Sequence, residues 1–132
     1  MDVSVRYNFK PFVQGADWNR TLVFTTGGVA VPLTGYRAIM TIRDEPHSGG
    51  TELLTLASAS SDNSAGNLDS SITITEAEGI LTLKISDEDS DLFIWKNNKA
   101  YYDVKLYEPA SDGGEVHVPV YGDLEIIPKV TL

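Results

Sequence analysis

Apolar and polar residues alternate along most of this chain with a period of two, the spacing expected when one face of a strand is buried and the other meets water. In Ile80-Leu81-Thr82-Leu83-Lys84-Ile85, the side chains of Leu81, Leu83 and Ile85 fall on one side and those of Thr82 and Lys84 on the other. Tyr102, Val104 and Leu106 repeat the pattern, as do Val116, Val118 and Val120. The segment 37–43 puts Ala38, Met40 and Ile42 on one face with Ile39 and Thr41 opposite. Leu81, Leu83, Ile85, Tyr102, Val104, Leu106, Val116 and Val118 are therefore expected to share one core. Shorter strands are expected over 3–7, 21–25, 52–56, 71–75 and 124–127, for about eight or nine strands in all.

Turn chemistry separates these segments. The pairs Gly27-Gly28, Gly49-Gly50 and Gly113-Gly114 permit positive φ, and Pro32, Pro46 and Pro109 interrupt a sheet ladder. Residues 110–114 should close a hairpin between strands 101–108 and 115–121, with Pro119 placing the second strand on an edge or at a bulge. Helical period is nearly absent. The exception is 86–95, where Ser86 suits an N-cap and Asp87, Glu88 and Asp89 load the first turn, so a short crossover helix is expected there. The stretch 57–71, rich in Ser, Asn and Asp, reads as a long mobile loop. Many short strands punctuated by turns make a sandwich or a barrel.

Length and charge narrow the function classes. The 132 residues suit one domain, 1–132. With no cysteine, disulfides, thiolate metal sites and thiol nucleophiles are excluded. No leader pattern opens the chain and no apolar run could span a bilayer, so neither secretion nor membrane insertion is expected. Lys and Arg total 10 against 19 Asp and Glu, a formal net charge of −9. The basic residues Arg6, Arg20, Arg37, Arg43, Lys84, Lys96 and Lys105 are spread along the sequence, which argues against nucleic acid as a partner.

Candidate chemistry is sparse. Asp87, Asp89 and Asp91 match alternate ligands of a calcium loop, but Leu92 stands where Gly is needed and Asn98 where the closing Glu belongs, so an acidic helix start accounts for the charges. His47 and His117 have no His, Asp or Glu at ligand spacing on the same predicted face, and His117 is expected at the surface. No nucleophile elbow or phosphate loop occurs. No catalytic, cofactor-binding or metal residue is therefore assigned, and no small-molecule substrate is expected. Trp18, Trp95 and the six tyrosines could serve second-layer packing, a protein interface or a carbohydrate platform.

The order of several motifs resembles a known family. Trp18, then Pro32-Leu33-Thr34-Gly35-Tyr36-Arg37-Ala38 leading into Met40-Thr41-Ile42-Arg43, then Gly79-Ile80-Leu81-Thr82-Leu83, Tyr102-Asp103-Val104, Gly122-Asp123-Leu124-Glu125-Ile126 and Pro128-Lys129-Val130-Thr131 are similar to the immunoglobulin-like domains of phage baseplate and tail-fibre proteins. The likeness is to the N-terminal domain of the baseplate upper protein and spans roughly 12–132. It implies an all-β, immunoglobulin-like antiparallel β-sandwich of about eight or nine strands with one short crossover helix.

It further implies a structural virion component made in the host bacterial cytoplasm and present in multiple copies, with other phage virion proteins as partners. Ending just after the Val-Thr motif, the chain is expected to be a baseplate or tail-fibre adaptor. The alternatives are a capsid decoration protein and a stand-alone carbohydrate-binding module. A sandwich without a reactive site acts through edge strands and exposed aromatics. The expected contact residues are Tyr101, Tyr107 and Tyr121, with Val3, Val5 and Tyr7 of the first strand.

Overall fold

The computed structural model describes residues 5–6, 9, 12–13, 15–45, 51–63, 67, 69–91 and 99–127. Among the described residues eleven strands follow one another: β1 (Val5–Arg6), β2 (Phe12–Val13), β3 (Trp18–Val23), β4 (Thr25–Thr26), β5 (Val29–Ala30), β6 (Arg37–Arg43), β7 (Glu52–Ala57), β8 (Ser71–Thr75), β9 (Ile80–Ile85), β10 (Lys99–Tyr107) and β11 (Val116–Ile127). A single-turn helix, α1 (Asp87–Asp91), lies between β9 and β10. Four of the strands are two residues long; of the longer ones, β6, β9 and β10 show the predicted alternation of buried and more exposed residues most clearly. Among the described residues no helix is long and apolar enough to cross a membrane.

Nine of these strands form two facing layers, while β4 and β5 pair with each other in a separate two-stranded ribbon. The larger sheet has six strands in the order β1-β11-β10-β6-β7, with β2 also paired to β11; the smaller has the order β3-β9-β8. Long strands pair antiparallel, whereas β1 and β2 run parallel to β11 through Val5↔Val120 and Ile126↔Phe12. Ala38, Met40 and Ile42 of β6, Tyr102, Val104 and Leu106 of β10, and Val120 and Leu124 of β11 are buried against Leu81, Leu83 and Ile85 of β9 and Ile72 of β8. Each such aliphatic side chain contributes about 1.5–3 kcal/mol by leaving water, which is how a cysteine-free sandwich holds together. Helix α1 carries the chain from the smaller sheet to the larger.

Two face assignments differ from the local pattern. Val116 is 51% exposed and Val118 half-buried, although both are in phase with the buried Val120. The register explains this: β10 and β11 pair as Val104↔Val120 but as Leu106↔His117, so one extra residue of β11 is accommodated around Val118 and Pro119. A bulge of this kind reverses which residues face the core. Pro119 therefore sits at a bulge, one of its two expected places, and β11 is not an edge, because β1 covers it. The strands expected at 115–121 and 124–127 merge into one, with Gly122 buried in its middle.

Two asparagines of the segment after β7 bond backbone groups of that strand. Asn63 Oδ1 accepts from Ala57 N at 2.8 Å, and Asn67 Nδ2 donates to Thr55 O at 2.9 Å. Both backbone groups point away from β6, so the two asparagines occupy hydrogen-bonding positions on the outer edge of β7. Edge strands with bare amides invite pairing with other chains, and polar caps of this kind suppress it.

Candidate functional site

The outer face of the six-stranded sheet gathers the tyrosines singled out by the sequence. Cross-strand pairing sets Tyr101 between Arg43 of β6 and Asp123 of β11, Asp103 between Thr41 and Tyr121, and Tyr107 between Arg37 and Val116. Lys105 lies opposite Ile39. Period-two geometry puts all of these on the side away from the core. Tyr121 is 42% exposed, while Tyr101 and Tyr107 are half-buried rather than fully exposed. Tyr107 is covered by the Arg37 guanidinium, whose carbon stands 4.5 Å from the ring centroid; Arg37 also reaches Asp62 at 3.6 Å. Of the first-strand candidates, Val5 contributes backbone pairing to Val120, and Val3 and Tyr7 lie outside the described residues.

Asp103 sits at the centre of this face. Its Oδ1 is buried and has no hydrogen-bond partner among the described residues. Burial pushes its carboxyl above the usual value, and the positive charges of Lys105 and Arg43 pull it partly back. The basic residues are less scattered in space than in sequence, since Arg37, Arg43 and Lys105 share this surface. They alternate there with Asp103, Asp123 and Glu125, so the face is of mixed charge and not the continuous basic stripe a phosphate backbone requires.

A second cluster lies at the end of the β10–β11 hairpin. The chain turns through a 3-10 turn at Ala110–Asp112, closed by Gly113 N donating to Ala110 O at 3.2 Å and Glu108 N donating to Glu115 O at 2.9 Å. Because the bulge puts His117 opposite Leu106, its imidazole faces inward, only 9% exposed, instead of lying at the surface as expected. Glu108 and Glu115 are in phase with it. His117 Nε2 is 2.8 Å from Glu108 Oε2, and one ligand atom from each of Glu108, Glu115 and His117 lies within 4.8 Å of the others. The hydrogen bond from His117 holds the Glu108 carboxyl below its usual range, with the Glu115 backbone adding to the effect and desolvation opposing it.

The acidic helix start resolves differently. Ser86 caps α1, its Oγ accepting from Asp89 N at 3.2 Å, as the sequence predicts. Asp89 is buried and its Oδ2 accepts from the hydroxyls of Ser70 and Ser86, whereas Asp87 is exposed. Asp89 is committed to tying Ser70, the residue just before β8, to the helix cap.

No protein-family model matches the sequence, and no curated protein matches it. A search of solved structures finds similarity to the NK cell receptor Nkp44, described as a triggering partner in natural cytotoxicity, at 12% identity and a TM-score of 0.50, over 96% of this chain and 100% of that one. The fold is immunoglobulin-like. In such sandwiches three or more strands of one sheet face the other, and β7 is the kind of additional strand that widens the larger sheet in variable-type domains. The link between sheets that a disulfide often makes is here aromatic: the Phe9 ring meets Trp18 of β3 edge-on at 5.0 Å and Tyr102 of β10 at 5.0 Å. Trp18 is 1% exposed and so is a core residue, not a carbohydrate platform; Trp95 and His47 lie outside the described residues.

The residues missed by sequence reasoning are Arg37 and Arg43 on the outer face, and Glu108 and Glu115 beside His117. The first two were legible from strand phase. Bringing the other two together with His117 needed the bulge in β11.

Proposed function

We propose that the chain is a non-catalytic binding subunit, a structural component of a tailed-phage virion at the baseplate or tail-fibre attachment, which contacts other virion proteins through the outer face of its six-stranded sheet. The observation that carries the interface is the clustering of Tyr101, Tyr107 and Tyr121 with Arg37 and Arg43 around Asp103 on the strands at the middle of that sheet. Tyr and Arg are among the residue types enriched in binding hot spots, Tyr because it buries a large rigid ring and Arg because its planar guanidinium stacks and donates several hydrogen bonds at once. A rigid sheet presents them without the ordering cost that a loop would add. The virion setting is supported by the ordered motifs from Trp18 to Thr131, and the absence of cysteine suits assembly in a reducing cytoplasm. Several copies, arranged by the particle's symmetry, follow from that setting.

The test uses the phage that encodes the chain. Purified particles should contain the protein, and separation of tails from heads should recover it with tails; recovery with heads would move it to capsid decoration. Replacing Tyr121 with Ser and Arg37 with Ala together should leave the melting temperature close to that of the wild type and abolish incorporation. Absence of the wild-type protein from virions would reject the virion role, and normal incorporation of the double variant would reject this face as the contact.

A further inference from the structure

The hairpin end carries chemistry that an interface does not need. Glu108, Glu115 and His117 project from the core-facing side of β10 and β11 just beyond Leu106, where the apolar interior stops. The phase of Glu115 and His117 is set by the bulge at Pro119, which turns a histidine inward at a place where the alternating pattern would put valine, while Glu108 simply continues the alternation of β10. The imidazole is almost entirely enclosed and its Nε2 is directed at the Glu108 carboxylate, while Glu115 approaches from the solvent side.

We propose that Glu108, Glu115 and His117 form a binding site for a divalent first-row transition cation of the zinc class. One imidazole nitrogen and two carboxylate oxygens are a zinc-type donor set, with a fourth position left for water. A magnesium or calcium site would be built from oxygen alone, so the histidine argues for the softer ion. The geometry is close to what is needed. Ligand distances of about 2.0–2.1 Å in a tetrahedron set donor atoms about 3.3 Å apart. The 2.8 Å between His117 Nε2 and Glu108 Oε2 need open only slightly, as the cation takes the place of the shared proton. The remaining separations, up to 4.8 Å, close by rotation of the exposed Glu115 side chain. The backbone already pins the two strands beneath the site through Glu108 N and Glu115 O. Bound metal would clip the hairpin shut, and it would stabilise the fold because the unfolded chain scatters the three ligands.

Zinc chloride is the probe, titrated calorimetrically into the full chain after chelator treatment, with calcium chloride as the comparison. The expected result is saturable binding of one zinc per chain, a rise in melting temperature with zinc, and no comparable response to calcium. Outer-shell partners alone are worth roughly 10–100-fold in metal affinity, so E115Q and H117Q should each lose at least about that much. E115Q alters only an exposed side chain and keeps the fold, which its melting temperature without zinc will verify. The absence of saturable zinc binding would overturn the proposal, as would zinc affinity left unchanged in E115Q and H117Q. Equal affinity for calcium would overturn the assignment of the cation class.

Discussion

At Gly79 the backbone adopts a φ of 65°, and a Cβ there would stand 2.5 Å from Val31 O and 2.8 Å from Phe24 O. The backbone around them is pinned, since Val31 N donates to Phe24 O and Phe24 N to Gly79 O, each at 2.9 Å. Gly79→Ala should therefore cost about 2 kcal/mol or more, from the left-handed conformation and the forced backbone shift together, as read by urea denaturation. Asp103 invites the opposite result. Facing it are Thr41 and Arg43 from β6, Tyr121 and Asp123 from β11, and Lys105 on its own strand. Because its folded pKa lies above the ordinary 3.8, the native state holds the proton more tightly than the unfolded chain does. Stability from this group is thus lost as pH rises from 3.8 through the raised value. Asp103→Asn should raise the melting temperature at neutral pH, with the gain shrinking towards zero as the solution is acidified below that window. A gain that does not vary with pH would exclude the carboxylate's charge as its source.

Among the elements, β7 shows how a loop and a strand edge complement each other. Asn63 and Asn67 bond the outward backbone groups of Ala57 and Thr55, so the polar composition of the loop serves an edge and not merely solvent. Removing both caps with Asn63→Ala and Asn67→Ala should cost about 0.5–1.5 kcal/mol per bond and leave β7 open to another chain. Sedimentation should then show concentration-dependent association where the wild type shows none. The opposite edge of the sheet needs no such device, since β1 and β2 cover β11. Helix α1 depends on Ser86 and Asp89 in the same way: the helix spans one turn, too short to persist on its own propensity, and is held by its cap and by Ser70.

At the scale of the whole molecule, a sandwich without disulfides must join its sheets by packing alone. Phe9 contacts Trp18 from the smaller sheet and Tyr102 from the larger, so it bridges the two layers. Phe9→Ala should lower stability by about 3–5 kcal/mol. That is a large part of the 5–15 kcal/mol typical of a domain, and calorimetry should show a correspondingly lower melting temperature. The net charge of −9 acts at this scale too, since like-charged copies repel one another in solution, and in the proposed function association is left to a specific face. The mixed-charge tyrosine surface is that face in the proposed function, and the hairpin cation site lies apart from it, on the core-facing side of β10 and β11.

The period-two pattern was sufficient by itself for the strands β6, β8 and β9, for the inward residues of β10, and for the hairpin at 110–114, because alternation and turn chemistry are written in neighbouring residues. The same holds for the Ser86 cap, whose partner is three residues away. The absence of cysteine likewise settled that no covalent bridge joins the sheets. Only the tertiary structure decided the rest. Val116, Val118 and Val120 read as one face, but the extra residue near Pro119 breaks their phase, and a bulge becomes visible only when β10 supplies the register. The burial of Trp18, the covering of β11 by β1, and the meeting of His117 with Glu108 and Glu115 depend in the same way on pairing between distant segments. Local periodicity records which side of a strand is apolar, whereas register and strand order are set by which partner buries that side, and the partner lies elsewhere in the chain.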